Sequence, residues 1–310
     1  MRAKPTRPVT EEESETFRRD GAVLIKGVLS EEWVEVLAEG LDTAITVPDS
    51  MTHDLGPELR TGQFPSLHSP GLQRIVDESP VAEIAGMAAQ SPVCFYMDQL
   101  FHKPPGHIPP TPWHQDTCYY NVEGHQMIRT WVSPDPVPRE ASIEVVRGSH
   151  LWNITYRSLA GRDPDLDAEA RATQDNQPPG VPMLGVDAFK GWDYFSGVRD
   201  MSAPALPDVE AHRDSYEILG WDYEPGDVLV FHAHILHSAR GDVDSSIGRR
   251  AHALLWAGQD VRYLHRIGQI IPDPVALYDH EPRTGQSLSD FPDVFPPAWE
   301  PSLALAEPTQ

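Results

Sequence analysis

The apolar and polar positions first mark two helices with a strand between them. Thr10 followed by Glu11, Glu12 and Glu13 has the form of a capping box, which predicts a helix that stops at Asp20-Gly21. The run "AVLIKGV" then predicts a short strand. Beyond Ser30, Trp33, Val34, Leu37 and Leu41 recur at helical spacing through "EEWVEVLAEGLDTAI", so a second amphipathic helix is expected with Ser30 as its cap. From about residue 93 the pattern changes to short apolar or alternating runs broken by Pro and Gly: "VCFYMDQLFHK", "RTWVSPD", "SIEVVRGS", "YEILGWDYE", "DVLVFHAHIL" and "RRAHALLWAG". Several short strands separated by turn signals predict an all-β sandwich or barrel rather than βαβ units.

Two stretches depart from that pattern. Between Trp152 and Tyr216 the chain is rich in Asp, Pro and Gly. A connection of that length inside a compact domain predicts disorder or a functional lid, with Trp192, Tyr194 and Phe195 available to order part of it. From Ile271 onward the prolines predict irregular chain on the surface with a frayed end. The 310 residues are therefore expected to form a single domain: helical support over 1–92, a β core over 93–258 carrying a lid at about 152–216, and an irregular tail over 259–310. No internal repeat interrupts this order.

Composition narrows the functional classes. Hydrophobic residues at 40% suit a globular chain, and no apolar run approaches the length of a membrane span. The basic N-terminus lacks a following apolar stretch, so no secretory signal is read and the cytoplasm is the expected compartment. A formal net charge of −23 disfavours nucleic acid and anionic membrane surfaces as partners, and weighs against a polyanionic substrate such as a coenzyme A thioester. Cys94 and Cys118 are too few for a disulfide framework and lack thiolate metal spacing.

The candidate chemistry begins in "PTPWHQDTCYY". On a strand, residues i and i+2 point the same way, so His114 and Asp116 set an imidazole and a carboxylate side by side, able to hold one ion from two directions. A third ligand is needed. The segment "GDVLVFHAHILHS" offers His232, His234 and His237; alternation along one strand would put His232 and His234 on one face and His237 on the other, and this pattern does not choose among them.

"TPWHQD", "SIEVVRGSH" and "GDVLVFHAHILHS" with "RRA" beyond together resemble the phytanoyl-CoA dioxygenase family of iron(II)- and 2-oxoglutarate-dependent oxygenases, over about residues 95–258. The resemblance implies a mainly β chain, a double-stranded β-helix (a cupin-like jelly roll) with flanking N-terminal helices and a long lid insertion. It implies a facial triad of two histidines and one carboxylate, an arrangement suited to non-haem Fe(II). Its residues here would be His114, Asp116 and His237, with His232 and His234 left to packing. It also implies an arginine that binds the far carboxylate of 2-oxoglutarate, for which Arg249 fits best and Arg250 is the alternative. Lys103 and Trp131 stand where family members line the same pocket. Arg249 lies 12 residues beyond His237, one more than is usual in that family, and Ala239 stands where a small hydroxyl residue is usual, with Ser238 one place earlier.

The expected reaction uses Fe(II), 2-oxoglutarate and O2 and releases succinate and CO2 as it hydroxylates an unactivated C–H bond of a natural-product or amino-acid-like small molecule. Asp116 favours hydroxylation, because resembling halogenases carry a small residue at that place. Desaturation, epoxidation and cyclisation belong to the same chemistry. The triad would also suit a zinc hydrolase or a non-catalytic cupin-like binder, but neither needs a fixed guanidinium at Arg249. Oligomeric state is not encoded in any of these patterns.

Overall fold

The computed structural model describes residues 2–46, 52–54, 60–108, 110–159, 200–241, 243–246, 248–266, 273–278 and 280–301. Its first helix, α1 (Glu11–Asp20), begins with the predicted capping box: Thr10 accepts from the Glu13 amide, and the Glu13 carboxylate accepts from the Thr10 amide. It ends at Gly21, whose φ of +82° favours glycine and where a Cβ would strike the His150 ring. Three further helices follow, α2 (Glu31–Thr46), α3 (Pro70–Asp77) and α4 (Val81–Ala89). α2 and α3 cross closely enough that a Cβ on Gly71 would come within 2.7 Å of the Gly40 Cα.

The strands, numbered along the chain, divide between two main sheets. The larger contains β1 (Ala22–Ile25), β2 (Thr52–Asp54), β3 (Arg60–Gln63), β4 (Val93–Lys103), β8 (Met127–Val132), β11 (Val228–His232), β14 (Arg249–Ala257) and β16 (Pro297–Trp299). Its order is β1-β11-β8-β14-β4-β3-β2, with β16 also paired to β4, and every pairing is antiparallel. The smaller contains β6 (Thr111–His114), β9 (Ile143–Val146), β10 (Ile218–Gly220) and β12 (His237–Ala239), in the order β10-β9-β12-β6. Two short ribbons complete the set, β5 (Gly106–Ile108) with β13 (Val243–Ser245) and β7 (Val122–Glu123) with β15 (Arg262–Tyr263).

Alternation along β14 shows how the layers are filled. Leu254 and Trp256 join a core formed with the helices, through Leu37, Leu41, Ile75 and Ile84. Ala251 and Ala253 turn the other way, into a core with Trp131, Leu229 and Phe231 of the larger sheet and Ile143 and Val145 of the smaller. The two sheets thus face each other across a buried interior, with helices covering the outside of the larger one. This is the double-stranded β-helix, a jelly roll of mostly antiparallel sheet.

The N-terminal and C-terminal portions do more than was expected of them. β1 is the strand expected at "AVLIKGV" and pairs with β11, while the unforeseen β2 and β3 extend the sheet beside β4, so residues 1–92 supply more strand than the one expected. The described residues of the tail are mostly irregular, yet β16 bonds to β4, and Phe295 is fully buried and stacked on Tyr96 with ring centroids 5.3 Å apart. Pro297 sits on an edge pairing, where its missing N–H is tolerated. The greater part of the expected lid, with Trp192, Tyr194 and Phe195, lies outside the described residues, as does the end of the tail. Among the described residues no helix is long and apolar enough to cross a membrane.

Candidate metal centre and its pocket

His114 closes β6 and His237 opens β12, and the register places them directly opposite one another, with ring centroids 4.1 Å apart. Asp116 follows β6 in a tight turn, where its amide and that of Thr117 both donate to Ala233 O, at 3.0 and 3.2 Å. Asp116 Oδ1 consequently faces both rings: His114 Nε2 is 3.6 Å away and His237 Nε2 3.7 Å. The three side chains bring ligand atoms within 4.8 Å of one another, and among the described residues they alone form such a group.

The opposite edge of each ring is fixed locally. His114 Nδ1 lies 2.8 Å from Pro112 O, and His237 Nδ1 3.1 Å from Ile235 O, in each case the carbonyl two residues earlier. A carbonyl can only accept, so each Nδ1 carries the proton and each Nε2 lone pair is left aimed at the shared centre. Burial, reinforced by His114, pushes His237 down to about 3, so it is a neutral donor at neutral pH. Burial would raise the Asp116 carboxyl, but Arg129, with His237 and His114, outweighs it and holds the group well below the usual carboxylate range. Two imidazoles and one carboxylate on a single side of the centre fit a divalent non-haem iron with open coordination positions.

The three candidate third ligands do not share a strand as the alternation pattern supposed. β11 ends at His232, the chain turns through Ala233–Leu236, and His237 begins β12 in the other sheet. His232 and His234 instead lie against His150 and His125, with ring centroids 5.1 Å apart for His150–His232 and 5.7 Å for His125–His234. Burial lowers both, His234 to about 4.

The larger sheet contributes the other wall. Arg249 on β14 is paired across from Lys103 on β4, and Trp131 belongs to the same inward face; the Arg249 guanidinium sits 5.7 Å from the Trp131 ring centroid. Arg249 is 4% exposed, donates to Ala141 O at 2.5 Å, and leaves Nε buried without a partner. Burial lowers it to about 10. Lys103 is 1% exposed and is driven to about 6 by burial and then by Arg249. Its Nζ reaches Thr111 Oγ1 at 3.4 Å. Arg250 points the opposite way, bidentate on Asp135 and paired with Asp42 of α2 at 2.5 Å, so its charge is already compensated. The buried Arg249 guanidinium, with no carboxylate in ion-pair contact among the described residues, stands beside the Lys103 amine, and together they form a seat for an anion.

Ser238 does not reach this seat, because it donates to Glu144 at 3.0 Å, and Ala239 turns inward without a hydroxyl. Sequence reasoning also passed over Arg129. It shares the inward face of β8 with Trp131, stands 3.3 Å from Asp116 Oδ2 and donates to the Tyr120 hydroxyl at 2.7 Å. The alternation Arg129-Thr130-Trp131 carried the signal, since whatever face holds Trp131 also holds Arg129. Gln115 was likewise unremarked: its amide donates to Ile154 O and His234 O and accepts from the Tyr156 amide.

Comparison with known proteins bears on the family and the fold. The sequence matches the family described as phytanoyl-CoA dioxygenase (PhyH) over residues 17–251. It is 21% identical over 252 residues to the ectoine dioxygenase of Sphingopyxis alaskensis, covering 76% of this chain and 72% of that protein. The fold resembles the non-haem α-ketoglutarate-dependent epimerase SnoN of nogalamycin biosynthesis, with a TM-score of 0.64 at 20% identity over 94% of this chain and 97% of SnoN. It also resembles EctD from S. alaskensis solved with 2-oxoglutarate and 5-hydroxyectoine, with a TM-score of 0.57 at 13% identity over 86% of each chain.

Proposed function

This chain belongs to the phytanoyl-CoA dioxygenase family, and from that premise we propose that it hydroxylates an unactivated C–H bond of a small natural-product or amino-acid-like molecule. It is an iron(II)- and 2-oxoglutarate-dependent oxygenase of a jelly-roll class. His114, Asp116 and His237 would hold the iron, which when bound supplies the oxidising chemistry that couples loss of CO2 from 2-oxoglutarate to attack on the substrate. Arg249 would take the far carboxylate of 2-oxoglutarate through its planar fork, with Lys103 adding charge and Trp131 packing against the stem.

The residues around the metal divide the remaining work. Pro112 O and Ile235 O hold both rings through Nδ1, so that each turns its Nε2 toward the centre. Arg129 holds Asp116 Oδ2, leaving Oδ1 as the oxygen presented to the centre. The apolar walls from Trp131, Phe231 and Ala251 exclude water from the pocket. The charge of −23 supports a small substrate over a fatty acyl coenzyme A, and disfavours nucleic acid and anionic membranes as partners. The chain would act as one domain in the cytoplasm.

The single observation that carries this reading is the buried, uncompensated Arg249 beside Lys103 on the face that looks toward the triad. A zinc hydrolase or a ligand-binding cupin has no use for that pair. Anaerobic addition of Fe(II) and then 2-oxoglutarate to the purified protein should give the weak visible charge-transfer band of a chelated iron–oxoacid complex, lost in His237→Ala. Iron bound without the band would remove the co-substrate from the assignment.

A further inference from the structure

Apart from the metal centre, the described residues line a half-open cavity of about 230 Å³ between Thr155–Ser158, Asp200 with Ala203, and Leu264–Arg266. Cys118, two residues beyond Asp116, forms part of its wall. The Tyr119 ring, 6.3 Å from that of His114, reaches the same strap, its hydroxyl accepting from the Leu159 amide at 3.4 Å. Gln115, between two of the triad residues, holds the strap at Ile154 and Tyr156. The cavity is therefore tied to the metal centre through both ends of one short segment.

Two arginines line it. The Arg157 guanidinium donates to Met201 O and Ala203 O, at 3.1 and 3.0 Å, and its Nε is buried without a partner. Arg266 donates to Tyr120 O and Val122 O, both at 2.9 Å, and its burial lowers its pKa. Backbone carbonyls fix both side chains, yet among the described residues neither has a carboxylate in ion-pair contact. That sets them apart from Arg129, Arg213 and Arg250, each of which does. Asp200 is on the rim, but its Oδ1 is engaged by the Ser202 amide and hydroxyl. In a chain of net charge −23, two held guanidiniums against the single carboxylate of Asp200 leave a surplus of positive charge at one cavity, a site kept open for an anion.

We propose that this cavity receives the carboxylate of the organic substrate, so that the substrate is a small organic acid gripped by Arg157 and Arg266 with its reacting carbon turned toward the triad. The inference rests on the oxygenase reading and names the substrate class within it. Volume supports a carboxylate over a larger anion: about 230 Å³ lies below the range of roughly 300–1,000 Å³ for whole-ligand pockets, enough for an acid head and a few carbons.

The test is calorimetry on the full chain loaded anaerobically with Fe(II) and saturating 2-oxoglutarate, which fills the Arg249 seat. The probes are hexanoate and benzoate, their amides hexanamide and benzamide, and inorganic phosphate. Carboxylates should bind about tenfold or more tighter than the amides and tighter than phosphate, and Arg157→Gln or Arg266→Gln should each weaken them by about tenfold or more. Asp200→Asn removes a competing negative charge and should tighten them by about threefold, a gain that misfolding does not produce. Amides that bind as well as the acids, or acids indifferent to all three substitutions, would overturn the proposal. Phosphate binding most tightly would overturn the carboxylate assignment. The visible band recorded on the same sample separates the two failures: no band refutes the oxygenase reading, whereas a band without carboxylate binding refutes the cavity alone.

Discussion

Replacing Arg249 with Gln should separate a residue kept for a ligand from one kept for the fold. The guanidinium makes one hydrogen bond, to Ala141 O, leaves Nε unsatisfied, and is paired across the strands from the Lys103 amine. A buried cation without a counter-ion costs several kcal/mol, more than the loss of about 1 kcal/mol for a single hydrogen bond. Unliganded Arg249→Gln should thus melt at or above the wild-type temperature. With 2-oxoglutarate the sign reverses. Two charge-assisted hydrogen bonds at about 1.5–3 kcal/mol each amount to roughly 3–6 kcal/mol, a loss of about 10² to 10⁴ in affinity. At a concentration of 100 times its Kd, 2-oxoglutarate should stabilise the wild-type protein by about 2.7 kcal/mol, and the variant by almost nothing at that concentration. Arg250→Gln, whose guanidinium is spent on Asp135 and Asp42, should change 2-oxoglutarate affinity by less than about threefold. Thermal melts and titration of the visible band check both halves. A variant that melts more than about 4 °C lower yet binds 2-oxoglutarate normally would show that Arg249 is structural and refute the reasoning.

Lys103 gives a pH test. Its pKa falls from the usual 10.5 to about 6 through burial and Arg249, so between those values the unfolded chain holds a proton that the folded one lacks, and unliganded stability should rise with pH across that window. An arriving oxoacid dianion favours the ammonium again, so binding near pH 8 should take up about one proton, read by calorimetry in buffers of different ionisation enthalpy and absent in Lys103→Met. His237→Ala should lose stoichiometric iron by metal analysis while His234→Ala keeps it; the reverse would mean that the wrong histidine completes the triad. Gln115→Ala removes two hydrogen bonds to the 154–156 strap, so the Tyr156 amide should exchange about tenfold or more faster, and unchanged exchange would show that the strap is held by other contacts.

Local signals were written plainly in the sequence. The Thr10–Glu13 box and the run from Val93 to Lys103 appear as α1 and β4 with the expected bounds, because each depends only on residues a few places apart. The triad histidine was chosen by resemblance, not pattern: alternation holds within a strand, and the turn at Ala233–Leu236 that breaks it has neither Gly nor Pro to announce it. α3 and α4, in a short Pro- and Ala-rich stretch, went unread although Ser69 caps α3. Contacts between distant segments were the least legible. The meeting of Arg129 with Asp116, and the cavity that joins Arg157 to Arg266, exist only once two sheets and a strap have closed around them.

Each of the two histidines proposed as ligands takes its orientation from the carbonyl two residues before it on its own chain segment. The aim of both metal-facing nitrogens is thus set by backbone, not by any side chain that a mutation could exchange. A lineage of such proteins could replace its straps, lids and substrate arginines wholesale while the reactive centre keeps its shape. The oxidising machinery would be inherited, and the choice of molecule left free to drift.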